Sequence, residues 1–190
     1  MPRRTRRSSR LQGYDYAQAG AYFVTLCTHQ RALLFGSVRG GAVMQSTAGV
    51  IAAERWAAIP QHHPHVALDA FVVMPNHIHG ILVITDHLVG TTPALSDTPA
   101  NRVHSSDRVG PADRACPVPT TASLSTVIGS YKSGVTRRVR HTYNAPDLMV
   151  WQGRFYDHII RHERALNNVR AYIQNNPARW TLDRYHPDIP

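Results

Sequence analysis

At 190 residues and a formal net charge of +9, the chain is long enough for one domain with a proper core and too short for two comfortable ones. Its longest apolar runs are strand-sized, which excludes a membrane-spanning helix, and two cysteines, Cys27 and Cys116, exclude a disulfide framework and suit a reducing cytoplasm. The positive charge implies a polyanionic partner, and because Lys132 is the only lysine among 21 basic residues, the charge is carried by arginine, which forks onto phosphates and stacks on bases.

In chain order, residues 1–19 read as a basic flexible arm. Arg3, Arg4, Arg6, Arg7 and Arg10 stand among serines, too polar to build core, and no hydrophobic signal region follows. Tyr22 to Thr28 is aromatic and β-branched and predicts a first strand. Ser46 to Ile59 predicts a helix stopped by Pro60. Two apolar strands follow, Val66 to Met74 and Ile78 to Thr85, separated by the turn signal Pro75-Asn76. From 86 to 121 the periodicity dissolves into Thr, Pro, Ser, Gly and Asp, which predicts a disordered loop insertion. Ser123 to His141 predicts a helix with Lys132, Arg137, Arg138 and Arg140 on or near one side. A strand near Phe155 to Arg161 then leads into a helix from Glu163 to Asn176, ended by Pro177. Residues 182–190 are expected to form a tail.

That order fits an α+β domain over 20–181. A ferredoxin-like antiparallel sheet would carry its first two helices on one face, leaving the other for a site and a closing C-terminal helix.

Two features carry chemistry. His77 and His79, one residue apart at the mouth of a strand, project to the same face while Ile78 points to the other. They read either as structural histidines near a turn or as paired metal ligands. On the last helix Leu166, Val169 and Ile173 form the core stripe, while Asn168, Tyr172 and Asn176 align four apart as a polar ridge, so the phenol and the Asn176 amide can address one spot.

Three blocks, Met74-Pro75-Asn76-His77-Ile78-His79-Gly80, Trp151-Gln152-Gly153-Arg154-Phe155-Tyr156-Asp157-His158-Ile159-Ile160-Arg161 and Tyr172-Ile173-Gln174-Asn175-Asn176-Pro177, together resemble the REP-associated tyrosine transposases, single-tyrosine HUH nucleases akin to small insertion-sequence transposases. The match runs from about residue 20 to 181. The resemblance implies Tyr172 as the catalytic nucleophile, with Tyr156 as a decoy in the strand block. It also implies a divalent cofactor, Mg²⁺ or Mn²⁺, on His77 and His79 with Asn176 as third ligand. The implied partner is single-stranded or hairpin DNA, a repetitive extragenic palindrome, cut through a 5′-phosphotyrosine bond by a monomer or homodimer. Lys132, Arg137, Arg138, Arg161 and Arg179, with Arg3, Arg4, Arg6 and Arg7 of the arm, are the candidate DNA contacts. The competing expectations are a domesticated hairpin-binding protein that does not cut and a replication or conjugation initiator nuclease. The intact trio His77, His79 and Tyr172 speaks against the first, and the chain has no room for the extra domains usual in the second.

Overall fold

Alternate residues of the first strand serve two different layers, and that alternation organises the molecule. In the computed structural model, which describes residues 15–85 and 123–189, β1 (Gly20–Cys27) sends Tyr22, Val24 and Leu26 into a large core and Phe23 into a smaller one on the opposite face. Residues 1–14 of the expected 1–19 arm and the loop at 86–121 lie outside the described residues, whereas Tyr16, within the expected arm, packs on the large core and its carbonyl accepts from Leu124 N at 3.0 Å.

A hairpin follows, β2 (Gly36–Arg39) and β3 (Ala42–Gln45). Gly40 and Gly41 make its turn at φ 57° and 77°, a backbone conformation that glycine adopts without Cβ clash. Helix α1 (Thr47–Ala57) begins at Ser46, whose hydroxyl accepts from Gly49 N at 3.1 Å. The predicted stop at Pro60 takes a particular form: α1 ends at Ala57, and the proline opens a further turn, α2 (Ile59–His62), where its missing N–H costs nothing.

Then come β4 (Val66–Val73) and β5 (His77–Ile84). After the undescribed stretch, α3 (Leu124–Tyr143) starts at Ser123 and ends at Asn144 in the left-handed conformation. Strand β6 (Tyr156–Ile160) leads to α4 (Glu163–Asn175), capped by His162, and a 3₁₀ turn over Pro177–Leu182.

The sheet order is β4-β5-β1-β6 with every neighbour antiparallel, so the ferredoxin-like α+β arrangement is borne out. Helices α1 and α3 cover the Tyr22/Val24/Leu26 face together with Trp56, Ile78 and Leu82. Helix α4 covers the other face, packing Ile173, Leu166 and Val169 on Phe23, Ile81 and Ile160. Between Leu68 and Phe71 the β4–β5 register is interrupted by a bulge. There Asp69 forks onto Arg170 of α4, with Nε to Oδ1 at 2.9 Å and Nη2 to Oδ2 at 2.6 Å. The bulge thus ties the tyrosine helix to the sheet. Gly80 faces the other way, and a Cβ there would stand 2.2 Å from Cζ2 of Trp56. The residue after the histidine pair must therefore be glycine for α1 to lie against β5. Among the described residues no helix is long and apolar enough to cross a membrane.

Candidate functional site

The parity of β5 puts His77, His79 and Ile81 on the α4 face, and both imidazoles are almost completely buried. Each is oriented by a hydrogen bond from behind. Asn76 spends its Nδ2 on the carbonyls of Tyr185 at 2.7 Å and Arg31 at 3.3 Å. Its Oδ1 therefore faces His77 Nδ1 at 2.9 Å, which must carry the proton, leaving Nε2 with a lone pair. That Nε2 is buried and has no hydrogen-bond partner among the described residues. His79 Nδ1 meets Thr25 Oγ1 at 2.9 Å, so its Nε2 also points into the site. Such outer partners fix tautomer and ring plane in metal-binding histidines.

Burial, reinforced by Arg184 and Arg31, lowers the His77 pKa to about 3. Burial and then His77 itself push His79 well below its ordinary range, against Asp183, which raises it. Both rings are neutral at physiological pH and keep a lone pair for a cation.

Asp183 completes the cluster. Ligand atoms of His77, His79 and Asp183 all lie within 4.8 Å of one another, and two imidazoles with one carboxylate form a donor set able to hold a divalent ion. The family resemblance implies Asn176 as the third ligand. In the structure Asn176 Nδ2 donates to Asp183 Oδ2 at 2.8 Å, while its Oδ1 is buried without a partner among the described residues. Asp183 and Tyr185 belong to the stretch expected to be a tail, yet both are buried. Asp183 Oδ1 accepts from Tyr185 N at 2.7 Å, and the Tyr185 ring lies 4.7 Å from that of His77. Arg184 stacks over Tyr185 and also reaches over Tyr156. The clue in the sequence was the pair Trp180 and Tyr185, two large aromatics in a polar segment, which mark a docked chain.

Tyr172 presents its hydroxyl to this cluster, 3.1 Å from His79 Nε2, and remains 42% exposed. Burial first and the Asp183 carboxylate second raise its pKa, so the phenol is protonated at neutral pH and can donate to His79 Nε2 when the ring proton sits on Nδ1. A cleft of about 460 Å³ opens beside it, lined by Asn168, Tyr172, Asn176, Arg179, Asp183 and Arg184. The predicted ridge of Asn168, Tyr172 and Asn176 is therefore one wall of the cleft. Tyr156 also borders Phe23, but no hydrogen bond joins it to either histidine among the described residues.

The remaining candidates scatter. Arg179 is in the cleft. Lys132 Nζ donates to Gln152 O at 2.6 Å, and burial lowers its pKa, so it fastens α3 to the segment before β6. Arg138 pairs with Glu54 at 2.9 Å. Arg137 and Arg161 are exposed. Arg3, Arg4, Arg6 and Arg7 lie outside the described residues.

No family model matches the chain. An uncharacterized protein of Haemophilus influenzae is 32% identical over 183 residues, covering 96% of this chain and 94% of that one. The chain belongs to that protein's family. Among solved structures, a REP-associated tyrosine transposase bound to a REP hairpin superposes with a TM-score of 0.52 at 16% identity, over 93% of this chain and 77% of that one. The fold is thus similar to that of the family which the three sequence blocks resemble.

Proposed function

We propose that this protein is a metal-dependent single-stranded DNA nuclease and strand transferase, a transposase acting on hairpin-forming palindromic DNA through a phosphotyrosine intermediate. The observation that supports the reading is the 3.1 Å approach of the Tyr172 hydroxyl, the proposed nucleophile, to His79 Nε2 at the rim of a two-histidine, one-carboxylate cluster. The transposase of similar fold is bound to a REP hairpin, and the excess positive charge of this chain suits the same class of partner.

The cluster fits a divalent ion, because His77 Nε2 is a buried lone pair without a partner among the described residues and the donors include a carboxylate. We assign His77, His79 and Asp183 to the ion, Mg²⁺ or Mn²⁺, with Asn176 holding Asp183 in place. Bound there, the ion would draw charge from a scissile phosphate and help orient it. The protein's own residues do the rest. Helix α4 aims the Tyr172 phenol across the cleft, and its oxygen attacks phosphorus while its proton passes to solvent. A bond from the phenolic oxygen to phosphorus forms, the bond to the 3′ oxygen breaks, and that oxygen takes up a proton as a free 3′-hydroxyl. Arg179 and Arg184 at the cleft wall offset the charge of the incoming backbone. Attack by a 3′-hydroxyl on the phosphotyrosine reverses the step and rejoins strands without a nucleotide cofactor.

The test is to incubate the full chain with Mn²⁺ and labelled single-stranded hairpins carrying an unpaired foot, then look for a protein–DNA adduct that survives denaturant. Hairpin binding with no adduct in any divalent metal would favour the non-cleaving hairpin binder instead.

A further inference from the structure

On the face opposite the histidines, a second cavity lies where α1 and α2 meet α3. It measures about 270 Å³, and Arg55, His62, His63, Ser130 and Arg137 line it with Ile59, Val127 and Tyr131. Two of its side chains are arginines and two are histidines, and among the described residues no carboxylate lines it. The Tyr131 hydroxyl is already committed to Ala52 O at 3.0 Å. The acid beside Arg55 in sequence, Glu54, is drawn away to Arg138 at 2.9 Å, so it leaves the cavity's charge uncompensated. Two buried atoms there also lack hydrogen-bond partners among the described residues, Nε of Arg55 and Nε2 of His63. An arginine Nε can only donate, and a buried donor without an acceptor is costly and rare.

An anion seated there would satisfy the Arg55 donor, and it would accept from His63 in the tautomer that protonates Nε2. Its chemistry is narrowed by Arg137, which also lines a larger groove of about 910 Å³ carrying Arg140 and His141 farther along α3 and Met149 beyond it. A lone ion would fill the small cavity and leave that groove unused, whereas a phosphodiester chain would occupy the cavity with one phosphate and continue past Arg137 along the helix. We propose that the α1–α2/α3 cavity is a phosphate seat for a DNA strand that runs along this face, held by Arg55, His63 and Arg137. The inference rests on the DNA-acting reading above and adds a second contact surface remote from Tyr172.

The test uses the full chain and a single-stranded hairpin oligonucleotide, with affinity measured across a salt series for wild type, Arg55→Gln and Arg137→Gln. Each lost phosphate contact should flatten the slope of log affinity against log salt by roughly 0.7. His63 ring resonances, assigned by their loss in His63→Asn, should move when the hairpin is added to wild type. Arg137 is exposed, so its variant tests the seat even if Arg55→Gln fails to fold. Slopes equal to wild type in folded variants would overturn the seat, as would a His63 response to inorganic phosphate with none to the hairpin. The Mn²⁺-dependent adduct, followed in parallel, separates the two readings. Its presence with unchanged slopes removes the seat alone, and its absence with flattened slopes removes the nuclease alone.

Discussion

Asn176 does not stand beside Asp183 by accident of chain proximity. The α4 helix ends at Asn175, and the 3₁₀ turn that follows brings the chain back so that the Asn176 amide donates to the Asp183 carboxylate at 2.8 Å. One residue supplies the charge and the other fixes its direction.

Asp183→Asn should therefore abolish or severely weaken Mn²⁺ binding, while Asn176→Ala should weaken it by about 10–100-fold, the range found when a partner behind a metal ligand is removed. Asn76→Ala should act similarly by freeing the His77 ring. Isothermal titration with Mn²⁺, with thermal melts as a fold control, checks all three. Wild-type affinity in folded Asp183→Asn would remove the carboxylate from the site.

Tyr172→Phe should eliminate the covalent adduct and leave hairpin affinity nearly unchanged, because the ring and its edge contact with Phe23 survive and only the oxygen is lost. Tyr156→Phe should retain adduct formation. Denaturing gels of the two variants side by side decide which tyrosine is the nucleophile.

Gly80→Ala should destabilise the fold rather than the chemistry. The added methyl would collide with the Trp56 ring, and overpacking of this kind costs about 1–3 kcal/mol or more. Chemical denaturation should show a lower midpoint, and a paired Trp56→Leu substitution should restore part of it by making room.

The bulge on β4 should give stability a recognisable acid limb. Hydrogen bonding to Arg170 holds the Asp69 carboxyl below its ordinary value, against the opposing effect of burial. A depressed carboxylate pKa contributes stability that is fully present above the unfolded value of about 4 and fades as pH falls through the folded value. Asp69→Asn should melt below wild type at pH 7, with the gap closing in the acid range below about pH 4. A gap that stays constant from pH 7 to pH 3 would mean that the pair carries no such linkage.

Most of the sheet and helices were legible because each has a strong period. The α4 stripe of Leu166, Val169 and Ile173 reads directly onto its packing against Phe23 and Ile81, and the His77/His79 alternation reads onto the face they occupy. The β2–β3 hairpin escaped notice because its strands are four residues each and half exposed, too short for alternation to register. Asp183 escaped because it belongs to no periodic element. Its position depends on a 3₁₀ turn and on aromatic docking by Trp180 and Tyr185, which are tertiary facts. The bulge at Asp69 was hidden for the same reason, since extended and bulged strands share one composition.

The pairing of β5 with β1 sets Thr25 opposite His79 and Cys27 opposite His77. A slip of one residue would leave secondary structure content almost unchanged while turning both imidazoles toward α1 and α3 and exchanging them with Ile78 and Gly80. Circular dichroism would hardly notice such a misfolded isomer. Under the proposed metal assignment Mn²⁺ uptake would, and a metal titration on refolded protein would then count the molecules that chose the right register.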